Sequence, residues 1–374
     1  MKAVLGLTLL AMTLVGCEDD VTGPDDDAVG AVYVMTNEAA GNSVIAYRRA
    51  EDGRLSPLGT FPTGGRGTGR TRLSSQDPVT LSPDNRLLFV ANVGSNDVSV
   101  FSVRDDGLER VALVSSGGEA PNSLTISGNV LYVLNNGGAG NITGFRVASS
   151  GQLTPLAGST RPLSGNATDP AQVRFSPDGR TLLVTEKKTD NIGRYAVDAN
   201  GVATGPVITS VADADGTPVT PFGGDFTRSG VFVVTEAAGA DPGQAAVSSF
   251  SLTGTSGVRF ISNSVGDTRT EVCWTVITPD DRYAYVTNFA DGTISSYAIA
   301  ADGTVRLLNP VAGTTSLGQL SIRDNGITED GRYMYAIDIF SRMVHGWRVQ
   351  SDGSLMGLGA APGLPGTVAG IAVR

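Results

Sequence analysis

The sequence predicts an all-β chain folded as a seven-bladed β-propeller, with four antiparallel strands in each blade. Three observations predict it. One pattern recurs through the chain: "LFVANVGSNDVSVFSV" (88–103), "LYVLNNGGAGNITGFRV" (131–147), "LLVTEKKTDNIGRYAV" (182–197) and "AYVTNFADGTISSYAI" (284–299) are close copies. "YVMTNEAAGNSVIAY" (33–47) and "YMYAIDIFSRMVHGW" (333–347) are looser ones, and "VFVVTEAAGADPGQAAVSSF" (231–250) has a longer middle. Each copy is followed by a Gly-centred turn. Finally, the chain enters the pattern at a second-type strand (31–36) and ends on a first-type strand without a successor, "TVAGIAVR" (367–374). That last strand completes the first blade and ties both ends into one sheet. Eight blades, or six with one decayed unit, are the alternatives.

Each element has its own warrant. The last residue of the second strand reads Asn37, Asn92, Asn135, Glu186, Glu236, Asn288 and Asp338, at gaps of 55, 43, 51, 50, 52 and 50 residues. First and second strands are joined by "LSPDNR", "FSPDGR", "TPDDR" or "TEDGR". Third and fourth strands are joined at Gly53, Gly107, Gly151, Gly201, Gly257, Gly303 and Gly353, most of them after Asp or Asn. Asp-Gly and Asn-Gly are strong hairpin signals, because tight primed turns need φ > 0. The chain has 374 residues, enough for two or three domains on length alone; radial repetition makes 31–374 one.

Residues 1–17 read as a secretory leader, with Lys2, an apolar stretch and then Leu14-Val15-Gly16-Cys17. The ending resembles a bacterial lipobox, so Cys17 is the expected lipidation site. Residues 18–30 read as an acidic flexible tether. The expected address is the bacterial cell envelope, with a lipid anchor as the sole membrane contact. Losing Lys2 takes the formal charge from −10 to −11, and setting aside the six acids of the tether leaves −5 on the propeller. An acidic domain excludes the basic face that nucleic acid requires. A monomer is expected. Cys273, the other cysteine, reads as a small buried hydrophobe. His345, the single histidine, falls in a third strand and reads as structural, which excludes a Ser-His-Asp triad. No cofactor and no metal are assigned.

Propeller geometry puts the second-to-third loops and the blade-to-blade links on one face, and loops on a rigid scaffold carry function. The Asn/Glu/Asp series points to that face. Asn and Asp end strands by bonding turn backbone, whereas Glu is a poorer turn former. Glu186 and Glu236 are therefore the candidates for acid/base work, or for holding a hard cation together with Asn288. Arg66, Arg70, Arg72, Arg161, Arg269 and Arg323 fall in the links and suggest a carboxylate trap, densest in "RGTGRTR" (66–72).

The repeats, with "FSPDGRTLLVTE" (175–186) and "CWTVITPDDRYAYVTNFADGTISSY" (273–297), resemble the bacterial seven-bladed lactonase family over nearly all of 31–374. That family includes 6-phosphogluconolactonase-like and carboxymuconate-cyclase-like proteins, and the likeness is closest to its secreted branch. The repeat also resembles the "YVTN" repeats of surface proteins. The family motif "GPRH…F-x-P-D-G…N-E" supplies an active-site His, Arg and Glu. Here "DPAQVRFSPDGRTLLVTE" (169–186) keeps Glu186 but has Ala171 and Gln172 at the Arg and His positions. The resemblance implies a small carboxylated or lactone ligand at the channel mouth. If the protein is catalytic, it opens a lactone or closes one. Glu186 is then the general base, assisted by Glu236 or a loop Arg, with Gln172 and Asn288 at the substrate and Arg70 or Arg269 at the oxyanion. The competing expectation is a non-catalytic propeller that binds a protein, glycan or envelope component.

Overall fold

Seven sheets account for the strands of the computed structural model, which describes residues 28–212, 217–254 and 256–374. The expected leader, its Cys17 and most of the tether lie outside these residues. Each sheet is antiparallel and follows chain order outward from an inner strand. The inner strands of blades 2 to 7 are Val79–Leu81, Pro121–Ser127, Pro170–Phe175, Pro221–Phe226, Val272–Ile277 and Ile322–Ile327. Blade 1 is the composite one. Its inner strand is the C-terminal Ala369–Val373, which pairs with Ala28–Met35 through Val32↔Val373, Tyr33↔Ala372 and Val34↔Ile371. Ala31 and Arg374 exchange backbone bonds of 3.1 and 2.9 Å beyond that register. The N-terminal strand begins at Ala28, inside the segment read as tether, because Ala28 and Gly30 still find partners in Ala50 and Arg49 across a bulge.

The repeat is legible in what its residues do. Second strands such as Leu87–Asn92, Val130–Asn135 and Tyr333–Asp338 are buried at every position, packed between neighbouring blades. The recurring tyrosine staples one blade to the next. Tyr132 donates to the Gly201 carbonyl at 2.8 Å, Tyr285 to that of Gly353 at 3.0 Å and Tyr335 to that of Gly53 at 2.6 Å. The acceptors are the turn glycines of the next blade. A Cβ on Gly53, where φ is +87°, would meet the Tyr333 ring at 2.4 Å, so both the turn and the stapling require glycine. The "SPDG" hairpins are held by their own hydroxyls. Ser176 donates to Asp178 at 2.6 Å and accepts from the Thr181 N–H at 3.0 Å, and Thr278 and Thr328 repeat the arrangement.

Candidate functional site

The face carrying the second-to-third loops is built as expected, and its Asn/Glu/Asp series forms a set of internal ties. Asn92 donates to Asp97 and Ser99 at 2.6 and 2.8 Å. Asn288 donates to Thr293 and Ser295 at 3.2 and 2.8 Å. Asp338 accepts from the N–H groups of Phe340, Ser341 and Ser316. The two glutamates follow the same rule. Glu186, fully buried, accepts from the Ser164 N–H at 2.9 Å, from the Ser164 hydroxyl and from Thr189 at 2.8 Å. Glu236 accepts from the Ser248 hydroxyl and from Ser264 at 2.7 Å. Serine and threonine hydroxyls make Glu as good a strand terminator here as Asn.

Residues 71–77, in the link from blade 1 to blade 2, cross the channel beneath this ring. The Ser75 carbonyl accepts from Trp274 Nε1 at 2.8 Å on blade 6, and the Gln76 N–H donates to the Ala171 carbonyl at 3.0 Å on blade 4. Gln76 then mimics a strand. Its amide donates to the Thr275 carbonyl at 2.8 Å and accepts from the Thr275 N–H at 3.1 Å. It fills the space left by Gly223, where a Cβ would lie 1.9 Å from Gln76 Oε1. Beside the crossing segment, Phe222, Trp274 and Phe289 pack edge-on at 5.2 and 6.4 Å.

Cations gather on these rings. Arg72 lies over Phe289 at 4.4 Å and pairs with Glu271 at 2.6 Å. Lys187 sits over Phe222 at 5.0 Å, donates to the Ser74 carbonyl at 2.5 Å and lies 3.5 Å from Asp169. Burial depresses its pKa, against the opposing pull of Asp169. Arg323 is the most constrained of the three. It is 2% exposed, and it contacts the Thr71 carbonyl through Nη2 and the Phe289 ring at 5.6 Å. Its Nε and Nη1 have no hydrogen-bond partner among the described residues. Burial first, and the neighbouring Arg72 second, push its pKa down to about 10. A buried guanidinium with two idle donors is costly unless an anion satisfies it. Cys273 lies within the field of these same groups, and burial raises its thiol well above the ordinary range.

The residues singled out from sequence scatter around this mouth. Gln172 lies in the channel wall, donating to Asp77 at 2.7 Å and accepting from the Gly224 N–H at 2.7 Å. Arg70 is exposed, and its carbonyl accepts from Asn37 at 3.3 Å. Arg269 is half-buried; its backbone N–H donates to Asp267 at 2.8 Å and its Nε has no partner among the described residues. The "RGTGRTR" segment is pinned to blade 1, since the Gly67 and Gly69 N–H groups donate to the Glu38 and Asn37 carbonyls. Arg323 belongs to the inner strand of blade 7, not to a link, and this correction turns it toward the channel mouth. Lys187, Phe222 and Phe289 were not legible as site residues; each is a single unremarkable position in the repeat. Among the described residues no His, Cys, Asp and Glu side chains group to hold a metal ion.

A closed ring of seven antiparallel sheets, four strands each with one short extra strand (Arg161–Pro162) in blade 3, defines a seven-bladed β-propeller. Residues 28–162 match the family model described as "Lactonase, 7-bladed beta-propeller". The fold is similar to that of a candidate 6-phosphogluconolactonase from Bacteroides fragilis (19% identity, TM-score 0.70), over 94% of this chain and 99% of that one. It is similar also to the periplasmic gluconolactonase of Pseudomonas aeruginosa (18% identity, TM-score 0.69), over 92% and 98% of the two chains. No curated protein matches the sequence. The chain thus resembles the seven-bladed lactonase propellers in sequence over residues 28–162 and in fold over more than nine-tenths of its length.

Proposed function

We propose that this protein is an exported, lipid-anchored propeller that holds a small carboxylated or lactone ligand at the channel mouth, with Arg323 as the principal contact. The observation that carries the reading is the pair of idle donors on a buried guanidinium. Each idle N–H is a charged donor that a carboxylate or lactone carbonyl can accept from. Arg72 and Lys187, over the Phe289 and Phe222 rings, add positive charge beside Arg323. Thr71 and Arg72 are themselves exposed, so admission of a ligand needs only that corner of the crossing segment to shift. The named activities of the similar structures, gluconolactone and 6-phosphogluconolactone hydrolysis, suggest an aldonate or its lactone as the first probe.

The test is gluconate binding and glucono-δ-lactone turnover by the wild type, Arg323→Met and Glu186→Gln. Gluconate affinity is expected to fall about tenfold or more in Arg323→Met. Glu186→Gln is expected to leave gluconate affinity unchanged, because its carboxylate is bound by Ser164 and Thr189. Equal affinity of wild type and Arg323→Met would sink the assignment.

A specific observation favours the non-catalytic alternative as well. Leu317 and Leu320, in the link from blade 6 to blade 7, and Phe340, in the second-to-third loop of blade 7, lie on the mouth face at 66, 59 and 62% exposure. Apolar side chains clustered beside a mouth suit a protein or glycan partner. Retention of an envelope protein by the wild type, lost on Phe340→Ser, would decide for it.

A further inference from the structure

We propose a second binding site, at the opposite end of the channel, for a neutral polyhydroxylated ligand of mono- to disaccharide size. Below residues 71–77 the channel continues as a cavity of about 670 Å³. Gln76 and Thr275 line its inner end, locked together by their paired hydrogen bonds. Pro83, Pro177 and Arg228, all exposed, line its outer end, where the first-to-second strand hairpins meet solvent. The cavity is therefore blind, capped by one glutamine, and of a size typical for small-ligand pockets, ~300–1,000 Å³.

Its wall is built for hydroxyl groups. Arg174 spans it, reaching Asp225 at 2.5 Å with one arm and Asp77 at 3.4 Å with the other. All three side chains keep some exposure, 33, 15 and 16%, so the array still offers free lone pairs and N–H groups. Asn325 lines the cavity at 5% exposure. Its Nδ2 donates to the Tyr285 carbonyl at 3.2 Å, while its Oδ1 has no partner among the described residues. Planar Asp, Asn and Arg side chains, with acceptors and donors in alternation, match vicinal hydroxyls, each of which both donates and accepts. The arginine is already neutralised by two aspartates, which disfavours an anion here. Half-buried Phe226 and Ile327 supply apolar surface for the C–H face of a sugar ring.

This site is independent of the mouth. The experiment is saturation-transfer NMR on the full chain, with D-glucose, D-galactose and maltose each at about 10 mM, an affinity range that reports weak binding. At least one sugar is expected to show transfer. Asn325→Leu, which replaces the idle oxygen, and Ile327→Trp, which fills the outer end, are each expected to weaken it about tenfold or more. Arg323→Met serves as the control and is expected to leave sugar binding intact. No transfer from any of the three sugars would overturn the proposal, as would transfer undiminished in both variants when their melting curves show them folded. A wild type that binds a sugar but no gluconate removes the mouth reading alone, and a wild type that binds gluconate but no sugar removes this one alone.

Discussion

Gly223 and Gln76 occupy complementary space, and the fit sets a firm limit on both. A Cβ at position 223 would lie 1.9 Å from Gln76 Oε1 and 2.7 Å from the Cys273 carbonyl. Overpacking of this kind costs ~1–3 kcal/mol. Gly223→Ala is therefore expected to lower the melting temperature, and Gln76→Ala to do so by another route. Removing the glutamine leaves the Thr275 N–H and carbonyl without their side-chain partner, and an unsatisfied buried group costs ~1–3 kcal/mol. Hydrogen exchange at the Thr275 amide, faster in Gln76→Ala than in the wild type, would check that the cap has opened. Asp324 is a second residue whose setting predicts behaviour. It is 2% exposed, and burial, reinforced by Asp77, raises its pKa well above the ordinary carboxylate range. Its Oδ2 has no partner among the described residues. A raised folded pKa means that the native state holds the proton more tightly than the unfolded chain does. Stability then falls as pH rises from the ordinary carboxylate range through the raised value. Asp324→Asn is expected to melt a few degrees higher than wild type at pH 7.5, with the gain shrinking toward pH 4. A constant difference across that range would remove the carboxyl from the account.

Hairpins and strands were legible in the sequence because their determinants are local. The "SPDG" turns close through a hydroxyl and a carboxylate two residues apart, and the Asp-Gly turns through a positive φ. The second-strand termini were legible as positions and half legible as chemistry. Asn92 and Asp338 bond their own turns, as their types suggest, but Glu186 is held largely by Ser164, 22 residues away in a link. The links were not legible, because their partners lie far along the chain. Residues 71–77 read as one more exposed arginine-rich connection. Their bonds from Ser75 and Gln76 reach residues 199 positions on, in blade 6. Nothing in the local pattern of a link encodes a crossing of the ring. Arg323 suffered the same fate from the other side: counted as a link residue, it stands on an inner strand, and only that placement gives its guanidinium a buried surrounding. Elements that merely connect blades thus decide what the channel can bind, at its mouth through Thr71 and Arg72 and at its capped end through Gln76.

The ring as a whole depends on one joint that no other blade shares. Six blades are continuous in sequence; blade 1 is assembled from both ends of the described chain. The joint rests on the short pairing of Ala369–Val373 with Ala28–Met35. It is reinforced from the neighbouring blade by Asp324, which accepts from the Gly370 N–H, and by Thr367, whose hydroxyl donates to the Thr36 carbonyl at 2.7 Å. Val368, Ala369, Ile371 and Ala372 are all buried there. Burying a Val or Ile side chain stabilises by ~1.5–3 kcal/mol, so these residues contribute a large share of the ~5–15 kcal/mol that holds an ordinary domain together. In an open solenoid a lost terminal strand costs its own contacts alone. In a closed ring the loss also exposes the inner edges of blades 7 and 2, which pack against the joint through Val373 on Gly326 and Pro78 on Gly370. A chain truncated after Leu364 is therefore expected to lose its cooperative thermal transition rather than to melt a few degrees early. Circular dichroism melts and size-exclusion profiles would read the difference. A truncated chain that stays monomeric and melts as sharply as the wild type would show that the seven sheets stand without their closure.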